Sequence, residues 1–350
     1  MRKLASIRTV KEIRPIEGAD AIECVVVDGW NVVSKKGEFA AGDTCVYFEI
    51  DSLLPEIEVF EFLRKSSYVK SSENGAGFRL KTIRLRGQYS QGLVIKPKEI
   101  VDTNSKYKNI LTADIGDDVS KILDVKLWEP IVPAQLGGQV HGYFPSFMPK
   151  TDQERVQNIF DELLPQFKDH TWEVTMKMDG SSGTCYYNKE FAGAGEEQFG
   201  VCSRNLRLKR NEANSFWKVA YTYEVERKLK ELNRNIAIQG ELMGPGVQGN
   251  REKFGCLKWL VFDMYDIDAQ RYLSSVERVA LCEQLDLDHV PVIDGEMDLS
   301  HITKIEEILE LAEMKSINKE IEAEGVVFKS LKDPNVSFKA ISNRFLVKQK

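Results

Sequence analysis

Lys177, Asp179 and Gly180 belong to a short Lys-Met-Asp-Gly motif that directly follows a strand-like segment at residues 172–176. An unprotonated lysine amine is a nucleophile that can form a covalent bond to a phosphate or carbonyl group. A free lysine has a pKa of about 10.4, so nearby positive charge is needed to lower that pKa. An Asp-Gly pair is also typical of a β-turn with a solvated lysine beside it. The motif alone is compatible with both interpretations.

Five further motifs follow Lys177 along the chain. They are residues 203–205 (SRN), 240–246 (GELMGPG), 262–265 (FDMY), 324–329 (EGVVFK) and 337–340 (SFKA). In this order they resemble the motif set of the covalent nucleotidyltransferase superfamily, which comprises ATP-dependent RNA and DNA ligases and GTP-dependent mRNA capping enzymes. The resemblance favours the nucleophilic lysine over the ordinary turn.

Other segments narrow the resemblance. Residues 240–246 and 262–264 resemble the RNA ligases that seal nicks in duplex RNA, of the T4 RNA ligase 2 type. Residues 2–7, 15–20 and 46–51 are similar to Naegleria-type RNA ligases, in which an OB domain precedes the nucleotidyltransferase domain. The resemblance implies an ATP-dependent ligase that joins a 3′-hydroxyl to a 5′-phosphate of RNA through lysyl-AMP and adenylated RNA. Its expected partner is RNA, in the form of a nicked duplex.

The resemblance also implies roles for individual residues. Lys177 is expected to be the nucleophile, with Lys339, Arg204 and a divalent metal supplying the positive charge that lowers its pKa and stabilises the reacting phosphate. The expected ligands of a hydrated Mg²⁺ or Mn²⁺ are carboxylates acting mainly through water, namely Asp179, Glu241 and Glu324. Glu241 is also expected to contact the ribose of ATP.

Three more residues are candidates for nucleotide binding. Phe262 is expected to stack on adenine, although its apolar strand also suits ordinary core packing. Lys150 and Arg155 flank the start of a predicted helix, where anions are favoured, and are candidates for steering the β- and γ-phosphates, the alternative being solvated helix charges. The last motif departs from the usual Lys-x-Lys pattern because Ser337 occupies the first lysine position. Either one cation is lost, or Lys329 reaches the same place from a neighbouring strand.

These residues require two domains to position them. Residues 1–125 contain short β-rich runs separated by turn signals, which predicts a small OB barrel. Its predicted strands are residues 22–27, 30–33, 44–50, 79–85 and 93–95. Residues 126–350 are assigned to a nucleotidyltransferase domain, which begins within an irregular bridge at about residues 100–142. The fold class is α+β, with antiparallel sheets and flanking helices.

Local signals predict the elements of the second domain. Thr151 and Glu154 form a predicted capping box, followed by a helix that Pro165 helps to end. Further helices are predicted at about 213–232, 275–285 and 302–314, and strands at 184–187, 199–202, 236–242, 258–265, 325–329 and 337–340.

Composition sets wider limits. The chain has 350 residues, a net charge of −6 and six cysteines without any Cys-x-x-Cys pair. The cysteines are interpreted as reduced, packed side chains. No transmembrane helix or signal peptide is expected, so the chain is predicted to be intracellular, in the cytoplasm, and a monomer.

Positive charge is concentrated in three blocks that could neutralise phosphates. These blocks are residues 78–98, which contain no acidic residue, 201–210 and the segment from Phe338. The first of them lies in the predicted OB barrel, a fold whose loops bind oligonucleotides.

Three alternatives remain open. A DNA ligase or a GTP-dependent capping enzyme with rearranged domains would use the same chemistry, but these families place an OB domain after the last motif, and only 11 residues follow Lys339. A non-catalytic RNA-binding protein would use only the basic blocks. The retained set of charged motif residues argues against this third alternative.

Overall fold

The computed structural model describes residues 3–71, 75–128, 140–191 and 197–348. One compact unit lies within Met1–Val132 and Leu346–Lys350, and a second lies within Pro133–Phe345. Most of the predicted bridge is described, but its residues Pro130, Pro133, Gly137 and Gly138 lie outside the described ranges, as does Asn74 of a predicted turn. No helix in the described residues is long and apolar enough to span a membrane.

The first unit is rich in short strands. They are β1 (Ala5–Pro15), β2 (Ile22–Val27), β3 (Trp30–Lys35), β4 (Thr44–Phe48), β5 (Ser52–Leu54), β6 (Tyr68–Ser71), β7 (Gly75–Arg79), β8 (Thr82–Leu85), β9 (Gln88–Gln91), β10 (Leu93–Ile95) and β11 (Lys126–Leu127). Two short α-helices, α1 (Arg64–Ser67) and α2 (Pro97–Thr103), and two 3₁₀ helices, Glu58–Leu63 and Ser105–Thr112, complete it.

A five-stranded sheet in the order β10-β4-β1-β2-β3 forms the centre of this unit. β1 pairs with β4 through its first half and with β2 through its second half, and the register shifts between Val10 and Glu12. Such a bulge increases local twist and lets one long strand serve both sides of a barrel. The prediction of a single strand at residues 79–85 is wrong in detail, because β7 ends at Arg79 and β8 begins at Thr82.

The second unit holds the motif residues. Its strands are β12 (Val140–Tyr143), β13 (Glu154–Arg155), β14 (Thr171–Lys177), β15 (Ser181–Tyr187), β16 (Phe199–Ser203), β17 (Leu206–Leu208), β18 (Ile236–Met243), β19 (Lys258–Asp266), β20 (Arg271–Tyr272), β21 (Val292–Asp298), β22 (Gly325–Ser330) and β23 (Ser337–Ile341). Its α-helices are α3 (Val156–Asp169), α4 (Ser215–Thr222), α5 (Val225–Leu232), α6 (Ser275–Gln284), α7 (Ile305–Leu311) and α8 (Asn343–Lys348), the last of which continues into the first unit.

Two sheets organise the second unit. One has seven strands in the order β12-β17-β16-β15-β18-β19-β20, and the other has five in the order β13-β23-β22-β14-β21. Pairing is antiparallel except between β13 and β23. Helices cover the sheets, so the predicted α+β class with antiparallel sheets and flanking helices is confirmed.

Helix α3 shows how the apolar pattern selects these elements. Val156, Phe160, Leu163 and Phe167 recur on one face and are buried with Trp172 of β14. Burying a large apolar side chain contributes about 1.5–3 kcal/mol to the free energy of folding. This packing carries α3 through Pro165, so the prediction that Pro165 helps to end the helix is wrong.

Two other local predictions are wrong. Thr151 and Glu154 do not form a capping box, because the Thr151 hydroxyl contacts Ser182 Oγ at 2.6 Å and Glu154 lies in β13. The helix predicted at 213–232 is divided into α4 and α5, because Glu224 adopts a left-handed φ of 50°. The sequence pattern is helical on both sides of Glu224, so it does not show that the helix is interrupted there.

Candidate active site

Lys177 lies at the end of β14, where pairing with β22 sets it opposite Gly325. Glu324 directly precedes β22, and the Lys177 Nζ donates a hydrogen bond to Glu324 Oε2 at 2.8 Å. The two side chains are only 24% and 18% exposed. Because β14 and β22 pair antiparallel, Lys177 and Glu324 form a direct ion pair although 147 residues separate them in the sequence.

Gly180 joins the Lys177 motif to the other sheet. Its N–H donates to Glu241 Oε1 of β18 at 3.0 Å. A Cβ atom on residue 180 would overlap the carbonyl oxygen of Leu242 and lie 3.0 Å from Glu241 Cγ. Glycine is required here because the turn passes against the backbone of β18.

The charges around Lys177 include three carboxylates. Burial alone would lower the pKa of Lys177, but Glu324, Glu241 and Asp179 outweigh burial and raise it above its ordinary value. Burial and the nearby Glu324 raise the pKa of Glu241 to about 8, despite the opposing charge of Lys177. The expectation that a bound divalent metal helps to lower the pKa of Lys177 stays a prediction.

Lys339 supplies one cation from β23. It lies opposite Val327 of β22 on one side and beside Arg155 of β13 on the other. Burial, together with the charges of Lys177 and Arg155, lowers the pKa of Lys339 to about 8. The parallel β13–β23 pairing thus assembles two cations next to Lys177.

Lys150 and Arg204 lie in a more exposed cluster. Arg204 Nη2 donates to both oxygens of Asp152, at 2.8 and 3.0 Å, and Lys150 Nζ donates to Asn205 Oδ1 at 3.0 Å. Burial would raise the pKa of Asp152, but Arg204, Lys339 and Lys177 lower it overall. Asp152 was not a sequence candidate, although it lies between Lys150 and Arg155 in the same segment.

Phe262 is partly buried beside an apolar cluster that contains Met176, Met178, Met243 and Leu260. Phe262 lies on β19 and packs against this cluster. Met176, which belongs to the cluster, lies on β14, the strand that also carries Lys177. The position is compatible with both core packing and stacking against a planar base.

The side chain of Lys329 is held by contacts with β19. Its Nζ is paired with Asp263 Oδ1 at 2.8 Å and also donates to the carbonyl oxygen of Phe262. Both charged side chains are buried, and burial lowers the pKa of Lys329 to about 8. The charge of Lys329 is thus already paired with Asp263, next to the backbone of Phe262. Ser337 of β23 lies opposite Lys329 in the sheet.

A neighbouring buried ion pair was also missed by sequence reasoning. Arg278 of α6 donates to Glu173 of β14 and, through Nε, to His289 Nε2 at 2.9 Å. Burial and the charge of Arg278 lower the pKa of His289 to about 4. No local motif marks this pair, because its partners are 105 residues apart.

The carboxylates fit a hydrated cation better than a directly coordinated one. Across the described ranges, no three His, Cys, Asp or Glu side chains are arranged to coordinate a metal ion together. Asp179, Glu241 and Glu324 nevertheless all act on Lys177, and burial together with the negative charge of Glu324 raises the pKa of Glu241. A cation held through water would relieve that charge.

Comparison with known proteins places these features in a family. Residues 170–342 match the RNA ligase family, and residues 4–97 match an OB-fold domain family. No match was found among curated proteins.

Solved structures of Naegleria gruberi RNA ligase match almost the full length. A lysine variant with ATP and Mn is 43% identical, with 99% of each chain covered and a TM-score of 0.88. A glutamate variant with AMP and Mn gives the same identity, coverage and TM-score. The form with PPi is 43% identical over 100% of this chain and 99% of that chain, with a TM-score of 0.87.

Proposed function

Because this chain belongs to the RNA ligase family, we propose that it uses ATP to join a 3′-hydroxyl to a 5′-phosphate and seals nicks in duplex RNA. The observation that carries this proposal is the placement of Lys177 between the carboxylates Glu324 and Glu241 and the cation Lys339. Such a site combines a buried amine with the charges that a triphosphate requires.

In the first step the Lys177 Nζ attacks the α-phosphate of ATP. A nitrogen–phosphorus bond forms, the bond to the bridging oxygen breaks, and pyrophosphate leaves. Lys177 must first lose its proton to solvent, and the nearby carboxylates oppose this loss because they raise the pKa of the amine. A divalent cation, Mg²⁺ or Mn²⁺, held through water by Asp179, Glu241 and Glu324, would supply the positive charge that offsets them.

The surrounding side chains have separate tasks in this proposal. Lys339 and Arg155 stabilise the charge that develops on the α-phosphate, because they are paired across β13 and β23 and the charge of Lys339 is close to that of Lys177. This proposal moves Arg155 from the outer phosphates, where the sequence placed it, to the α-phosphate, and it moves Arg204 the other way. Arg204 and Lys150, which are more exposed, bind the outer phosphates. Phe262 stacks on adenine, and Glu241 contacts the ribose.

The remaining steps use the same charges. AMP passes from Lys177 to the 5′-phosphate of RNA, and the 3′-hydroxyl then attacks that phosphate and releases AMP.

We further propose that the enzyme acts as a cytoplasmic monomer. All six cysteines are free, which is typical of a reducing compartment.

Covalent labelling tests the proposed first step. Incubation with α-labelled ATP and Mn²⁺ is expected to leave label on the denatured protein, whereas α-labelled GTP is expected to leave none. Nicked duplexes with RNA or DNA on each side then test the substrate, because a ribose 2′-hydroxyl at the reacting end can be read directly. Equal sealing of ribose and deoxyribose 3′-ends would contradict the RNA-specific proposal, and labelling by GTP would contradict the use of ATP.

The hairpin of β8 and β9 in the first unit is the proposed RNA-binding element. Arg84 and Arg86 are exposed on it, as are the apolar side chains of Ile83 and Leu85. The guanidinium of Arg84 lies 5.2 Å from the centre of the Tyr89 ring. No acidic residue occurs from Phe78 to Lys98, so the element suits a phosphate backbone.

The double variant Arg84→Ser/Arg86→Ser is expected to reduce nick sealing while lysyl-AMP formation stays unchanged. Each lost phosphate contact lowers the slope of log affinity against log salt by roughly 0.7–0.9, so sealing should also become less sensitive to salt. Sealing rates at several salt concentrations provide the measurement. Lys35→Ser/Lys36→Ser, which removes two exposed charges elsewhere in the same unit, is the control. An equal loss in both variants would assign the effect to net charge alone.

A further inference from the structure

Residues 248–254 connect β18 to β19 and form what we call the Arg251 loop. Three non-glycine residues in this loop, Gln248, Asn250 and Lys253, have left-handed φ angles of 41°, 45° and 57°. Residues with side chains rarely adopt this conformation unless their surroundings impose it, and such positions are concentrated at functional sites. The shape of the loop is therefore imposed by specific contacts.

Two side chains hold the loop, Asn250 as both donor and acceptor and Glu252 as acceptor. Asn250 closes it on itself, because its side chain binds both the N–H of Phe254 at 3.1 Å and the carbonyl oxygen of Phe254 at 2.9 Å. Glu252 fixes it to the segment before β22, accepting hydrogen bonds from Ser316 Oγ and from the N–H of Asn318 at 2.7 Å. Asn318 also donates to the carbonyl oxygen of Arg251 at 3.0 Å.

The loop presents the side chain of Arg251 to the Lys177 motif. Arg251 Nη1 donates to Asp179 Oδ2 at 2.7 Å, and Nη2 lies 3.4 Å from the carbonyl oxygen of Glu322. The guanidinium carbon is 4.6 Å from the centre of the Phe345 ring, and Phe345 is buried. Two contacts from other parts of the second unit, with the carbonyl oxygen of Glu322 and the ring of Phe345, thus help to fix the guanidinium beside Asp179.

The ion pair uses one oxygen of Asp179 and leaves the other available. In the described residues, Asp179 Oδ2 is the oxygen engaged by Arg251, and the pair is only partly exposed, at 29% and 25%. Hydrogen bonds from outer-shell partners orient the carboxylates that hold a metal ion, and losing such a partner typically weakens metal affinity or activity. The hydrogen bond from Arg251 therefore fixes the orientation of the Asp179 carboxylate.

We propose that Arg251 is a positioning residue that orients the Asp179 carboxylate for lysyl-AMP formation. The inference rests on the proposed function, because Asp179 acts in that reaction. Arg251 itself touches neither Lys177 nor, in this proposal, the nucleotide. A planar guanidinium suits the role because it can bind a carboxylate, a carbonyl oxygen and a ring face at once, which the point charge of lysine cannot.

The test compares Arg251→Met, Arg251→Lys, Asp179→Asn and the double variant Arg251→Met/Asp179→Asn. Arg251→Met is expected to slow single-turnover lysyl-AMP formation at saturating ATP by at least tenfold, with the KM for ATP within about twofold of the unmodified protein. Arg251→Lys is expected to recover part of the rate. In the Asp179→Asn background, Arg251→Met should have almost no further effect, because a residue that acts through Asp179 shows strong coupling to it.

A binding measurement separates positioning from simple charge. Free Mn²⁺ is measured by electron paramagnetic resonance in the presence of a non-hydrolysable ATP analogue. Positioning predicts weaker Mn²⁺ binding by Arg251→Met, whereas a guanidinium that merely repels the cation predicts tighter binding on its removal. Tighter binding would overturn the proposal, as would multiplicative effects in the double variant.

Lys253→Met provides the matched control. It removes one positive charge from the same loop, where Lys253 Nζ pairs with the exposed Glu320, and it should leave the labelling rate unchanged. Thermal unfolding of each variant shows whether the fold is intact. If the unmodified protein is not labelled by ATP, the proposed function fails; if it is labelled and Arg251→Met matches it, only the role of Arg251 fails.

Discussion

Lys177→Ala is expected to abolish covalent labelling by ATP while sparing the joining of RNA that already carries a 5′-adenylate. In the proposed mechanism Lys177 provides the nucleophile for the first step alone, and alanine has no amine to attack the α-phosphate. The later steps depend on the charges that surround it, including Glu324 and Lys339, which the substitution leaves in place. Gel analysis of labelled protein and sealing of pre-adenylated RNA measure the two activities separately.

Lys168→Ala serves as the control for this variant. Lys168 is an exposed lysine near the end of α3, so its loss should leave both activities unchanged. Labelling that persists in Lys177→Ala would remove Lys177 from the first step. Loss of both activities in a folded Lys177→Ala protein would show that the side chain also serves the later steps.

Gly180→Ala is expected to slow lysyl-AMP formation by on the order of 100-fold. The added methyl group would overlap the carbonyl oxygen of Leu242 in β18, which is backbone and cannot rotate away. The turn must then move, and it carries Asp179 and Lys177 with it. Misplacement of reacting groups by about 1 Å can reduce a rate by about 10²-fold. Single-turnover labelling at saturating ATP measures the loss.

Gly295→Ala is the matched control, because a Cβ atom at residue 295 meets nothing within 4 Å. It should label at the unmodified rate. A Gly180→Ala protein with an unchanged rate would show that the turn can shift without moving the nucleophile, and the close approach to β18 would then have no catalytic importance.

The family and the order of the domains could be predicted from the sequence. The motifs are short, ordered and rich in charged residues, so their resemblance to RNA ligases could be recognised, and it is confirmed by the match over residues 170–342. The OB domain is confirmed by the match over residues 4–97. Strands with clear turn signals were also located well; β2 and β10 begin and end where predicted, at 22–27 and 93–95.

Local signals failed where tertiary packing decides the outcome. The buried face of α3 continues past Pro165, and the hydroxyl of Thr151 finds Ser182 instead of a helix terminus. The sequence also did not show that three carboxylates near Lys177 outweigh its burial and raise its pKa, which gives the expected divalent cation more negative charge to offset. The motifs identify the charged residues near Lys177, but they do not give the net electrostatic effect of those residues on its pKa.

Long-range partners were beyond the reach of sequence reasoning. Arg251 and Asp179 are 72 residues apart, and Lys329 pairs with Asp263 from another sheet. Nothing near Arg251 in the sequence marks it as a partner of the Lys177 motif. The role of Lys329, which the sequence left open, followed only from the burial of its charge beside Asp263.

The position of β23 between β13 and β22 has a consequence for biosynthesis. The strand is formed by residues 337–341, so it is synthesised after the strands it pairs with, yet it brings Lys339 beside Arg155, which was made far earlier. A chain interrupted before residue 337 would lack Lys339 and leave β13 without this neighbour. Nascent or truncated chains are therefore expected to remain unable to capture ATP, and adenylylation would report that synthesis of the second unit is complete.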